Sequence, residues 1–135
     1  MMLPEEGQLL RILIGENDKY EKQPLYEWIV RKARASGLAG ATVLRGLEGY
    51  GAHSRVHTAK ILRLSSDLPI VIEIVDTHEK IARFLPLIDD AISEGLAAVE
   101  NVKIRFYRGG NSKYLRDRGI FQIRPAVWII ATEIA

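Results

Sequence analysis

The sequence predicts an α+β domain, one antiparallel sheet with both helices on one face and an extra strand at the C-terminal end. Four segments are apolar or alternate with period two, and two segments between them carry apolar residues at helical spacing. Their order is strand, helix, strand, strand, helix, strand, and the 135 residues fit one domain, 1–135.

Leu9 to Ile14, with Arg11 as its only charge, reads as the first strand. A turn follows through Gly15, Glu16, Asn17 and Asp18, and Pro24 opens a helix, where its missing N–H costs nothing. Leu25, Trp28, Ile29 and Ala33 share one face, and Gly37 stops the helix because a left-handed C-terminal residue suits glycine. Ala41 to Leu47 alternates as the second strand. From Gly49 to Arg63 no period holds, so this stretch reads as a long loop, which in a compact domain is more often functional than idle. Pro69 opens the third strand, Ile70 to Val75, with Ile70, Ile72 and Ile74 facing one way.

Asp76 and Glu79 have capping-box spacing ahead of a second helix. Its apolar face is Ile81, Phe84, Leu85, Ile88 and Ile92, and Pro86 should kink it. Val102 to Tyr107 alternates as the fourth strand, which completes a ferredoxin-like βαββαβ pattern. The helices should cover a sheet face that includes Ile12, Ile14, Ile72, Ile104 and Phe106. The open face should show Arg11, Glu73, Lys103 and Arg105 among Leu13, Val71 and Val75, a mixture that predicts self-association. Beyond Gly109 and Gly110, Ile120 to Ile123 reads as a short strand. Val127 to Ile130, in a run apolar enough to require burial, should add a strand at a sheet edge or on a neighbour.

The 47% hydrophobic content argues against disorder, and the lack of Cys excludes disulfides, thiolate metal sites and a cysteine nucleophile. No apolar run approaches the roughly 18 residues of a membrane span, and no signal pattern opens the chain, so a soluble, cytoplasmic protein is expected. The net charge of +2 divides unevenly. Lys103, Arg105, Arg108, Lys113, Arg116, Arg118 and Arg124 against Asp117 make residues 103–124 +6, which leaves −4 elsewhere. Such asymmetry suits an anionic partner or a solvated basic loop.

Gly46, Gly49 and Gly51 punctuate the end of the second strand, where glycines let backbone N–H groups approach a phosphate or simply serve strand-end geometry. Their order fits neither the dinucleotide-binding fingerprint nor the P-loop. His53 and His57 are four apart but lack a helical context and a third ligand, so no metal site is assigned. Asp89 and Asp90 diverge by about 100° on a helix, and Ser54, Ser65 and Ser66 lack a nucleophile-elbow context, so no catalytic group is assigned. Arg55, Lys60, Lys103 and Arg105 offer charge to a bound phosphate. Specific nucleic-acid binding is not expected, because the basic strand brings only Tyr107 as a stacking platform.

Several segments in order resemble one family. They are Gly15-Glu-Asn-Asp-Lys-Tyr, Pro24-Leu-Tyr, Gly37-Leu-Ala-Gly-Ala-Thr-Val-Leu-Arg-Gly, Gly49-Tyr-Gly, His53-Ser-Arg, His57-Thr-Ala-Lys-Ile-Leu-Arg-Leu-Ser and Asp67-Leu-Pro-Ile-Val-Ile-Glu-Ile-Val-Asp. Together they are similar to the PII-like family known as domain of unknown function 190. The resemblance covers a core of about 8–107 and leaves an extension, 108–135.

The resemblance implies a ferredoxin-like homotrimer that binds an adenine nucleotide (AMP, ADP or ATP) in clefts between subunits. It also implies signalling through the long loop, here 49–64, to a membrane or enzyme partner, with no cofactor required. By position Gly46, Gly49 and Gly51 match the base of the PII loop, and Lys103 lies near the phosphate-binding lysine, preceded by Glu100-Asn-Val rather than a glycine-rich loop. Arg116-Asp-Arg118-Gly119 resembles the Arg-x-Arg-x-Gly segment brought to the phosphates. The expected nucleotide site is therefore Gly46, Gly49, Gly51, His53, Arg55, Lys60, Lys103, Arg105, Arg116 and Arg118. A slow nucleotide phosphohydrolase and a structural interaction module without ligand stand as the alternatives.

Overall fold

The computed structural model describes residues 3–51, 57–58, 67–109 and 126–133. Strand β1 (Glu6–Gly15) is longer than its apolar stretch because it lies inside the sheet, bonded along both edges. Short strands β2 (Lys19–Tyr20) and β3 (Gln23–Pro24) form a hairpin ahead of helix α1 (Leu25–Ala35). Strand β4 (Gly40–Arg45) follows, then β5 (Glu48–Gly49), paired antiparallel with β6 (His57–Thr58) at the base of the long loop. Strand β7 (Pro69–Asp76), helix α2 (His78–Asp89), strand β8 (Leu96–Lys103) and strand β9 (Ala126–Glu133) complete the order. The main sheet runs β8-β1-β7-β4-β9, antiparallel except that β9 lies parallel to β4. The extra strand thus sits at a sheet edge, as its apolar composition predicts.

The core forms where the two isoleucine ladders meet the helices. Leu10, Ile12 and Ile14 lie opposite Ile74, Ile72 and Ile70, and Leu25, Ile29, Ala33, Ile81, Phe84 and Ile88 pack onto them from α1 and α2. Helix α1 starts one residue after Pro24, which takes the cap position, and its acidic Glu27 and basic Lys32 and Arg34 complement the helix dipole. It ends in a Schellman motif. Gly37 adopts φ +77°, its N–H donates to the Arg34 carbonyl, and the Leu38 N–H donates to the Ala33 carbonyl.

Several expectations are corrected. The cap of α2 is Thr77, whose hydroxyl accepts from the Lys80 N–H at 3.2 Å, while Asp76 turns inward and is fully buried. The helix ends at Asp89, so Ile92 joins the core from beyond it. The fourth strand occupies Leu96–Lys103 rather than Val102–Tyr107. Its ladder runs from Leu13↔Leu96 to Glu6↔Lys103, and the Ile104 N–H still donates to the Glu5 carbonyl. Beyond that bond the regular ladder stops.

This register reverses the face of the segment's start. Val102 lies opposite Gly7, on the parity of Arg11, and Lys103 lies opposite Glu6, on the parity of Leu10. Phe106 is not under the helices but 60% exposed, with the Arg108 guanidinium 4.3 Å above its ring. On the open face Arg11 and Glu73 stand directly opposite and pair at 2.8 Å, with Glu100 at 3.6 Å, so those charges answer one another. Lys103 and Arg105 do not join them.

The β2–β3 turn is strained. Glu21 (φ 51°) and Lys22 (φ 65°) are both left-handed, as a type I′ turn requires, although neither is a residue that favours that region. Replacing them by the preferred Asn-Gly pair is expected to stabilise the fold by about 1 kcal/mol, a rise of about 4 °C in Tm by calorimetry.

Candidate functional site

One end of the sheet gathers the root of the long loop. The Gly46 N–H donates to the Pro69 carbonyl at 2.7 Å. A Cβ on Gly46 would stand 2.7 Å from Pro69 Cγ, and one on Gly49 3.0 Å away, so both positions are glycine because the chain lies against the proline ring. Around them, Arg45 pairs with Glu16 at 2.9 Å, and the Asn17 N–H donates to Asp67 at 3.0 Å. Gly51 has open space about it.

The opposite end is built around a buried carboxylate. Asp76 Oδ2 accepts from the Ala39 N–H at 2.8 Å and Oδ1 from the Thr77 N–H at 2.6 Å, which satisfies a charge that has left water. The chain beyond β8 crosses this end of the sheet, and the Tyr107 hydroxyl donates to the Ala39 carbonyl at 2.5 Å. Lys80 Nζ donates to the Gly37 carbonyl at 3.2 Å, joining the start of α2 to the end of α1.

Burial, with the Asp76 charge nearby, raises the Tyr107 hydroxyl above its ordinary pKa of 10.0. The folded state therefore favours the protonated phenol. Its contribution is complete below pH 10 and is lost as pH rises from there through the higher folded-state value. Tyr107→Phe is expected to cost about 1 kcal/mol at neutral pH, and the gap from wild type should close above pH 10 in urea titrations.

The register separates the two groups of expected site residues. Gly46 and Gly49 lie at the Gly15–Pro69 end, whereas Lys103 and Arg105 lie at the Glu6 end, both exposed. Seven residue steps of β1 stand between Leu13, opposite Leu96, and Glu6, opposite Lys103, about 23 Å at about 3.3 Å per residue. One protomer does not bring them together. His53, Arg55, Lys60, Arg116 and Arg118 lie outside the described residues. Three polar elements went unread in the sequence: Asp76, Tyr107 and the Glu16–Arg45 pair. The first looked like a helix cap, the second like a strand residue, and the third joins positions 29 apart with no local signature.

No helix among the described residues is long and apolar enough to cross a membrane. The DUF190 family model, described as Uncharacterized ACR, matches residues 7–104, so β9 lies beyond the matched part. A UPF0166 protein of Aquifex aeolicus is 40% identical over 97 residues, covering 72% of this chain and 91% of that protein. A UPF0166 protein of Methanocaldococcus jannaschii is 36% identical over 105 residues, covering 77% and 94%. The fold is similar to that of CPII, a nitrogen regulatory PII-like protein from Thiomonas intermedia K12, in a structure with ADP, AMP and bicarbonate. That match has a TM-score of 0.55 and 20% identity, covering 73% of this chain and 88% of that one. With a family match across most of its length and relatives at these identities, the chain belongs to the DUF190 family, on a PII-like ferredoxin-type fold.

Proposed function

We propose that the protein is a PII-like regulator, a homotrimer that binds an adenine nucleotide in clefts between subunits and signals through the long loop at 49–64. The observation that carries this reading is the fold it shares with a PII-like protein whose structure holds ADP and AMP, together with a loop rooted at the glycine end of the sheet. The separation of Gly49 from Lys103 fits a site completed by two protomers. A nucleotide held by the loop root of one subunit would meet Lys103 and Arg105 of another, with Gly46, Gly51, His53, Arg55, Lys60, Arg116 and Arg118 as the remaining contacts.

Self-association has a surface to use. Strand β8 is an edge, its residues Leu96–Asn101 all exposed, with Leu96 at 57% and Val99 at 40%. A long apolar edge strand invites pairing unless another chain covers it. Leu96 also stands opposite Leu13, which continues the apolar surface onto the open face toward Val71. The homotrimer is the occupant this reading assigns.

Isothermal titration with ADP, AMP and ATP tests the nucleotide, and light scattering tests the assembly. Saturable heat at one site per protomer and three times the chain mass are expected, with Lys103→Ala weakening the titration. No heat and no change in melting temperature with any of the three would remove the reading.

A further inference from the structure

The turn that follows β1 holds both roots of the long loop. Where the chain enters the loop, Arg45 donates through Nε at 3.0 Å and Nη2 at 2.9 Å to one oxygen of Glu16. Where it leaves, the Glu16 N–H donates to the Leu68 carbonyl at 2.8 Å and the Asn17 N–H to Asp67 Oδ1 at 3.0 Å. The turn is itself braced, since the Gly15 N–H donates to Asp18 Oδ2 at 2.9 Å. Four consecutive residues thus tie together two segments more than 20 positions apart.

The two fastenings differ in kind. Those at the exit involve backbone N–H groups of a turn that continues directly from an interior strand. The one at the entry joins two side chains, Arg45 at 27% exposure and Glu16 at 24%. A part-exposed ion pair contributes little net stability, so a modest competing interaction shifts it. A guanidinium fork receives phosphate oxygens as readily as carboxylate oxygens.

The geometry points to the β1–α1 turn as a clasp on the long loop, whose opening bond is Glu16–Arg45. A phosphate-bearing ligand at the loop root takes the Arg45 guanidinium from Glu16 and loosens the entry root, which the Gly46–Pro69 bond then holds to β7 without the clasp, while the exit stays fixed. The nature of the ligand rests on the nucleotide reading above; the clasp itself does not. Arg45 then acts on the loop as a positioning residue, and its partner Glu16 sets how readily the loop responds.

Amide hydrogen exchange on the full chain tests this, read at Gly46, whose N–H bonds Pro69, and at Ile12 in the sheet interior. Glu16→Gln and Arg45→Gln should each speed exchange at Gly46 by about threefold, the scale of a lost part-exposed ion pair. The double variant should be no faster than the faster single, because each single already breaks the Glu16–Arg45 pair. Ile12 should not change. In wild type, inorganic tripolyphosphate at constant ionic strength should speed Gly46 exchange, and in Glu16→Gln it should add nothing. Unaltered Gly46 exchange in Glu16→Gln overturns the clasp, and a wild type indifferent to tripolyphosphate overturns its release by phosphate. If both behaviours hold while ADP produces no heat, the clasp stands and the nucleotide reading alone falls.

Discussion

Asp76→Ala is expected to lower stability by about 3 kcal/mol, a drop of roughly 10 °C in Tm, although the substitution leaves every apolar core residue in place. The carboxylate is fully buried and answers two N–H groups, those of Ala39 and Thr77. The Ala39 donor is buried and is left without an acceptor when the carboxylate is deleted, whereas the Thr77 donor is part-buried; a stranded buried donor costs about 1–3 kcal/mol. The effect should also spread. The Ala39 peptide is held on one side by Asp76 and accepts the Tyr107 hydroxyl at its carbonyl, so its loosening should release the crossing segment after β8. Hydrogen exchange should therefore accelerate at Ala39 and at the residues around Tyr107 together. Asp76→Asn separates shape from acceptor chemistry. It keeps one oxygen but turns an amide NH₂ toward an N–H, so it should fall between wild type and Ala in urea titrations. A loss below 1 kcal/mol in Asp76→Ala would show that the site admits water and that Ala39 finds another acceptor.

The isoleucines of β1 and β7 announced both strands and their buried face, because period-two alternation is imposed by the pleat itself. The helices were legible for the same reason, with apolar residues at helical spacing and a glycine at the α1 terminus. What failed was local pattern overruled by distant geometry. Val102 to Tyr107 alternates as well as any strand, yet its ladder with β1 ends at Glu6↔Lys103, and Tyr107 turns instead to the Ala39 carbonyl 68 positions away. The less patterned Leu96–Lys103 became the strand because β1 had a free edge there. Asp76 followed the same logic. Its spacing to Glu79 satisfies the capping-box rule, but Thr77 next to it also offers a cap, and a donor 37 positions away at Ala39 claims the carboxylate. The expected phosphate site was read from residue types and from positions matched to the PII-like pattern. Neither reveals that Gly46 and Gly49 are answering a proline ring, or that Lys103 stands at the other end of the sheet.

Gly95→Ala should be the most damaging exchange of a single hydrogen for a methyl group among the described glycines, at about 3 kcal/mol. Two costs coincide there. Gly95 has φ +150°, a region essentially closed to residues with a Cβ, and the added carbon would stand 2.6 Å from the Leu13 carbonyl oxygen. That oxygen belongs to β1, which is bonded on both edges and has no room to retreat. Ile14 Cγ2 at 3.0 Å and Ile92 Cγ2 at 3.2 Å close the remaining directions. The strain is relieved only if the start of β8 lifts from Leu13, which breaks the ladder at Leu13↔Leu96. Gly37 provides the control, since its φ of +77° is also left-handed but nothing lies within 4 Å of a Cβ built on it. Gly37→Ala should then cost about 1 kcal/mol, the price of the backbone conformation alone. The difference between the two variants in urea titration contains the close approach to Leu13 together with the less accessible backbone region of Gly95. Because Leu96 and Val99 are the apolar edge through which copies of the chain are proposed to meet, Gly95→Ala should also lower the mass measured by light scattering at micromolar concentration, whereas Gly37→Ala should not. Equal costs in the two variants would mean that β8 yields freely, and an edge that yields freely is a poor template for assembly.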